Sequence, residues 1–134
     1  MTDAAELDGF LQATMPFAAL MGAQAIAASP EAVTLRVAWD PSRCTAGGVL
    51  HGGLLMALAD TSGAWCAFLN LAEGASTTTI ESKTNFLRAV RAGHVTAVSR
   101  PLHVGRTTVV IDTEVRDEDE RLVARTTQTQ AVRP

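Results

Sequence analysis

The chain has 134 residues, 47% of them hydrophobic and 19% charged, with ten glycines and five prolines. Those totals fit a single folded domain over 1–134, with enough chain to bury a core and too little for two domains, and they exclude a disordered polymer. A formal charge of −3 and a pI near 5.5 exclude the cationic excess that nucleic acid recognition needs.

Met1 to Asp8 is acidic and has no basic segment ahead of an apolar run, so no secretory signal is read there and the expected compartment is the cytoplasm. Ala4 to Thr14 places Leu7, Phe10 and Leu11 on one side of a helix, and Pro16 is expected to end this leading segment, 1–16. Gln24 to Ser29 and Ala32 to Trp39 flank a Ser29-Pro30 turn. In the second of them Val33, Leu35, Val37 and Trp39 alternate with Thr34, Arg36 and Ala38, which predicts a hairpin with one face buried. Pro41, Ser42, Gly47 and Gly48 make 40–49 a loop.

Residues 53–71, GLLMALADTSGAWCAFLNL, are apolar around most of a helical circumference and predict a core helix. The stretch is nearly long enough to span a bilayer, but it contains Asp60, Thr61, Ser62 and Asn70 and has no close basic flank, so no membrane is expected. After Gly74 come four strand-like segments, Ser76 to Arg88, His94 to His103, Arg106 to Arg116 and Arg121 to Val132. The short breaks between them, at Ala92-Gly93, Val104-Gly105 and 117–120, predict that these four pair antiparallel in sequence order. The fold class is therefore α+β: an antiparallel sheet of five to six strands wrapped around one long central helix, its only available cover.

Asp60 is the one charged residue within 53–71, and an ionised carboxylate in apolar surroundings costs several kcal/mol unless solvated or paired. It either faces a water pocket or subunit boundary without a task, or it carries chemistry. Just upstream, Gly48-Val49-Leu50-His51-Gly52-Gly53 leads into the helix, where first-turn N–H groups lack intrahelical acceptors and form a ready oxyanion site. Within one chain Asp60 stands seven residues beyond Gly53, roughly 10 Å along the axis, too far for both to reach one carbon easily. A twofold mate brings Asp60 of one chain to the helix start of the other, which predicts a homodimer with two sites at its interface. Cys44 and Cys66 show neither metal-type nor redox-type pairing, and no metal site is expected.

Three stretches, LHGGLLMALADTSG, TNFLRAVRAGHVTA and VGRTTVVIDTEVRDEDERLVA, resemble the PaaI-like branch of hotdog-fold thioesterases, which includes phenylacetate-pathway and hydroxybenzoyl-CoA types. The resemblance runs from Val33 to Val132, and its most specific part is the spacing from His51-Gly52-Gly53 to Asp60. It implies a hotdog fold and hydrolysis of an aryl- or medium-chain acyl-CoA, with Asp60 as nucleophile or general base. The Gly52 N–H would bind the thioester oxygen, and His51 would shape the helix start or simply bond to backbone. Coenzyme A arrives as part of the substrate and no cofactor is implied. Substrate contacts are expected from Gly53, Thr45, Thr61, Ser62, Asn85, Phe86, Arg88 and the Gly105-Arg106-Thr107 turn; Arg88 and Arg106 serve equally well as solvated residues, and Thr61 and Ser62 as helix hydroxyls bonded to their own backbone. His94 and His103 are read as structural. Two positions depart from the pattern: Thr45 stands where many relatives carry Asn or Gln, and Ala64 where some carry a hydroxyl. These departures keep open a non-catalytic acyl-CoA or aromatic-ligand binding module. A hotdog hydratase or dehydratase needs an Asp and His motif that the sequence lacks. Relatives commonly assemble as dimers of dimers, so a homotetramer is implied.

Overall fold

The computed structural model describes residues 3–134. Asp3 opens α1 (Ala4–Thr14) by accepting the Ala5 N–H on its side chain at 2.7 Å, which satisfies one first-turn donor. Leu7 and Leu11 bury one face of α1, and the Phe10 ring lies 5.5 Å from that of Trp65. Met1 and Thr2 of the expected leading segment lie outside the described residues. Pro16 does more than end that segment. It opens a second short helix, α2 (Pro16–Leu20), in the first turn, where a missing N–H and a fixed φ suit the helix.

β1 (Ala23–Ser29) and β2 (Ala32–Ala38) form the expected hairpin. With β3 (Ser76–Phe86), β4 (His94–Val104), β5 (Thr108–Asp117) and β6 (Leu122–Arg133) they make one antiparallel sheet of six strands in the order β1-β2-β4-β5-β6-β3. The α+β hotdog architecture stands, with one correction: β3 does not pair with β4. The segment after Phe86 crosses the end of the sheet instead, where the N–H groups of Leu87 and Arg88 reach Val123 O and Val90 O accepts Leu50 N–H. β3 then docks on β6 at the far edge, while β4 takes the place beside β2. Side chains explain the choice. β4 sets Val95 and Ala97 opposite Val37 and Leu35 and so extends an apolar inner face, whereas the polar β3, STTTIESKTNF, suits an edge. Arg106 falls in the β4–β5 turn, outside the strand expected to start there.

The long helix α3 (Gly52–Leu69) touches all six strands and buries Leu55, Leu58, Ala59, Trp65, Cys66 and Ala67 against them. It begins one residue before the expected 53–71 and ends two earlier, because Asn70 leaves the helix and its side chain donates to Pro30 O at 2.8 Å. Each fully buried large side chain contributes about 1.5–3 kcal/mol relative to exposure, so this face holds helix and sheet together. Burial also pushes the Cys66 thiol up to about 11, which keeps it protonated and unreactive near neutrality.

The sheet's inner face changes character from one side to the other. Across β2, β4 and β5 it is mostly valine, leucine and isoleucine. On β6 the buried positions are Val123 and Ala124 at its start and then Thr126, Gln128 and Gln130, so the strand turns polar from Thr126 on, and Thr126 pairs in register with Thr84 of β3. α3 therefore lies over an apolar floor on one side and a polar one on the other.

Candidate active site

Asp60 projects from α3 on the side not covered by the apolar floor, and its carboxylate is exposed in the single chain. Its environment is built from below. The Gln128 side chain on β6, fully buried, donates from Nε2 to Asp60 Oδ1 at 3.0 Å. Around Asp60 the same face of α3 presents Met56 at 41% exposure and Phe68 at 54%, an apolar surround for one charge. One to two turns beyond Asp60, Ala64, Trp65 and Phe68 join Phe10 and Met15 in lining a cavity of about 290 Å³.

The start of α3 is assembled by the 40–51 loop. Gly47 and Gly48 have φ of 79° and 73°, the left-handed region that a side chain resists, and this conformation lets the chain double back toward the helix. Trp39 Nε1 anchors the bend by donating to Gly48 O at 2.9 Å, and His51 N–H bonds to Arg43 O at 3.0 Å. His51 is the helix cap, with Nδ1 accepting the Gly53 N–H at 2.8 Å. The two glycines are thereby distinguished. Gly53 N–H is spent on the cap, while among the described residues Gly52 N–H has no acceptor. The Phe86 ring covers Gly52 closely, so that a methyl group there would stand 3.3 Å from it.

A preorganised carboxylate and a free helix-start N–H on one apolar face are parts suited to acyl transfer. Comparisons with known proteins agree. Residues 47–124, which contain the helix start and Asp60, match the family model described as the thioesterase superfamily. The chain belongs to the thioesterase superfamily. A relative from Mycobacterium tuberculosis, provisionally named an esterase, is 30% identical over 118 residues, covering 86% of this chain and 84% of that protein. A Haemophilus influenzae relative of similar name is 41% identical over 75 residues, and the aligned part spans 54% of its length. Among solved structures, a Haemophilus influenzae thioesterase superposes with a TM-score of 0.90 at 28% identity, covering 99% of this chain and 92% of that one. A mutant thioesterase from Pseudomonas aeruginosa gives 0.88 at 31% identity, covering 95% and 94%.

Within this thioesterase-superfamily chain the other expected contacts divide. Phe86, at the end of β3, lies against Gly52 at the helix start, whereas Asn85 before it on the strand faces the opposite side of the sheet; both are exposed. Arg88 follows them and, with Arg91 and Arg121, borders a groove of about 430 Å³ that also carries Asp117, Glu118 and Asp119. Thr45 is exposed on the loop and makes no capping bond with its side chain. Thr61 bonds its own helix, Oγ1 to Ala57 O at 2.8 Å. Ser62 is turned away from the site altogether. Its hydroxyl is buried between α3 and the sheet, 2.7 Å from Ser99 Oγ and 3.2 Å from Val33 O, so it serves packing and cannot meet substrate. Gly105, Arg106 and Thr107 form the β4–β5 turn, bonded through Thr107 O to Val132 N–H. Since β6 ends at Arg133 opposite Ser76, whereas Phe86 lies opposite Ala124, that turn is at the far end of the sheet from Gly52 of its own chain.

Gln128 and the lining residues Phe10, Met15, Trp65 and Phe68 escaped sequence reasoning. The apolar ones read simply as core. Gln128 had a faint signal: in RTTQTQ of β6 both alternating faces are polar, and a strand so placed must turn one set of them inward.

Proposed function

We propose that the protein is an acyl-CoA thioesterase of the PaaI-like type, hydrolysing an aryl- or medium-chain acyl-CoA at two sites shared across a homodimer. The observation that carries this reading is the pairing, on one exposed apolar helix, of a carboxylate braced from below and a single free N–H at the helix start. The thioester oxygen accepts the Gly52 N–H, which gains strength as negative charge develops there. Asp60 either takes a proton from the attacking water, or attacks the carbonyl itself to form a mixed anhydride that a water molecule then hydrolyses, freeing Asp60. The C–S bond breaks, coenzyme A leaves as thiolate and is protonated, and the acid is released. Phe10, Trp65 and Phe68 give the cavity that begins one turn along α3 from Asp60, at Ala64, the character of an acyl pocket, and its aromatic rings favour a planar group.

In one chain Gly52 and Asp60 are eight residues apart on α3, about 12 Å along its axis. A second copy resolves that separation. β3 is eleven residues long and among the described residues pairs only with β6, while Ile80 and Phe86 on it and Met56 and Phe68 on α3 leave large apolar surfaces exposed. An edge so long and so poorly covered supports twofold pairing, which sets the two α3 helices antiparallel. The same operation brings the Gly105-Arg106-Thr107 turn of one chain toward the helix start of the other, where it and Arg88 would meet the phosphates of coenzyme A.

The test is release of free thiol from phenylacetyl-, benzoyl-, short-chain and long-chain acyl-CoA by the parent and by Asp60→Asn. Turnover of at least one substrate is expected, falling at least about a hundredfold in the variant. Equal turnover by both proteins refutes the role of Asp60. Binding without thiol release refutes the enzyme in favour of a ligand-binding module, and hydration of an enoyl-CoA without thiol release favours a hydratase.

A further inference from the structure

Gln128 is a residue that no packing argument requires. It is fully buried on β6, it sits where the neighbouring strands carry Ile111 and Ser82, and an apolar residue would fill the same space without a polar group to satisfy. Its amide is only half satisfied: Nε2 donates to Asp60 Oδ1 at 3.0 Å, whereas Oε1 has no hydrogen-bond partner among the described residues. A buried amide oxygen left without a donor is a standing cost, and the one bond it accompanies is directed at the carboxylate.

The helix is shaped to allow that bond. Asp60 and Gly63 are three residues apart and so neighbours on the helix surface. Gly63 is buried at ordinary helical φ, so backbone freedom does not explain a glycine there, and a glycine inside a helix is unfavourable relative to alanine. The Gln128 amide does explain it. A Cβ on Gly63 would land on Oε1 of Gln128, so the missing side chain is the notch through which the amide reaches past the helix to Asp60.

We propose that Gln128, seated in the Gly63 notch, is a positioning residue for the reaction: it holds Asp60 Oδ1 so that Oδ2 faces the thioester. This deepens the proposed function and rests on Asp60 being the working carboxylate. A fixed Oδ1 removes rotation about the side-chain bonds and keeps the group oriented as a nucleophile or base must be. Among the described residues Oδ2 has no partner, which leaves it available for chemistry.

The experiment is a double-mutant cycle on the full-length protein, with thiol release from the best acyl-CoA of the panel as readout and thermal unfolding as the check on folding. Gln128→Met keeps the length of the side chain and removes the donor. Its kcat is expected to fall about tenfold to a hundredfold, the scale of a hydrogen bond to a charged group, with KM within about twofold of the parent. In the Asp60→Asn background the same change should produce no further loss, because there is no charged carboxylate left to position. Gly63→Ala, which displaces the amide and leaves Gln128 in the sequence, should lose kcat to a similar degree and serves as the second variant should Gln128→Met not fold. An unchanged kcat in a folded Gln128→Met, with Asp60→Asn inactive, overturns the inference and leaves the proposed function standing. So does an equal loss in both backgrounds, which marks a purely structural role. Full activity in Asp60→Asn overturns both.

Discussion

Two aspartates in this chain are held by hydrogen bonds for different ends. Asp60 receives one donor and among the described residues keeps one oxygen without a partner, the arrangement that the proposed reaction needs. Asp117, buried at the end of β5, receives the N–H groups of Asp119 and Arg121 and the Arg121 guanidinium, and is committed to closing the β5–β6 turn. Burial by itself pushes the Asp117 carboxyl up, but these bonds, backbone donors from Arg121 and Asp119 first and the guanidinium after, outweigh it and hold the group below the usual carboxylate range. A carboxyl depressed by folding stabilises the native state above its unfolded value and loses that contribution as pH falls through the folded one. Asp117→Asn should therefore be less stable than the parent at pH 7, and the difference should shrink as pH drops below about 4. Urea unfolding at a series of pH values measures it, and a difference that stays constant with pH contradicts the account.

At the scale of elements, what could be read in advance depended on whether a segment's side chains had one task or two. α3 and the β1–β2 hairpin were legible because periodicity there reports a single burial direction: Val33, Leu35 and Val37 all point to the core, and α3 is apolar nearly all round. Leu58 lies at the centre of that buried face, and Leu58→Ala should cost about 2–5 kcal/mol in denaturant unfolding, whereas a loss under about 1 kcal/mol would mean that the helix is not the core it appears in this packing. Strand order was not legible for β3. Local spacing shows that a turn is possible near Ala92-Gly93, but only the preference of β4 for the apolar flank of β2 sends it away from β3. The candidate site was legible where a residue broke its local pattern. Asp60 interrupts an apolar helix, and Gly48 to Gly53 crowds glycines before a helix start. Gln128 and Gly63 were not legible, because their meaning lies in a contact between residues far apart in sequence. Ser62 misled for the converse reason: beside Asp60 in sequence, it is rotated about 200° round the helix and faces Ser99.

For the molecule as a whole, the geometry of one chain poses a problem that the chain cannot solve. Its carboxylate and its free helix-start N–H are about two turns apart on a rigid helix, and the apolar face between them is open. The twofold pair we propose would solve it by giving each site the Asp60 of one chain and the Gly52 of the other. Subunit complementation tests this most directly. Gly52→Pro removes the N–H at the first helical position, where proline fits the backbone and only the Phe86 ring must give way slightly. Asp60→Asn and Gly52→Pro dimers should each be nearly inactive. Coexpressed in equal amounts, half of the dimers are mixed, and each mixed dimer has one site with both defects and one with neither, so about a quarter of parent activity should return. Failure of the mixture to exceed its two components, with mixed dimers demonstrably present, would place both groups in one chain's site and contradict the account.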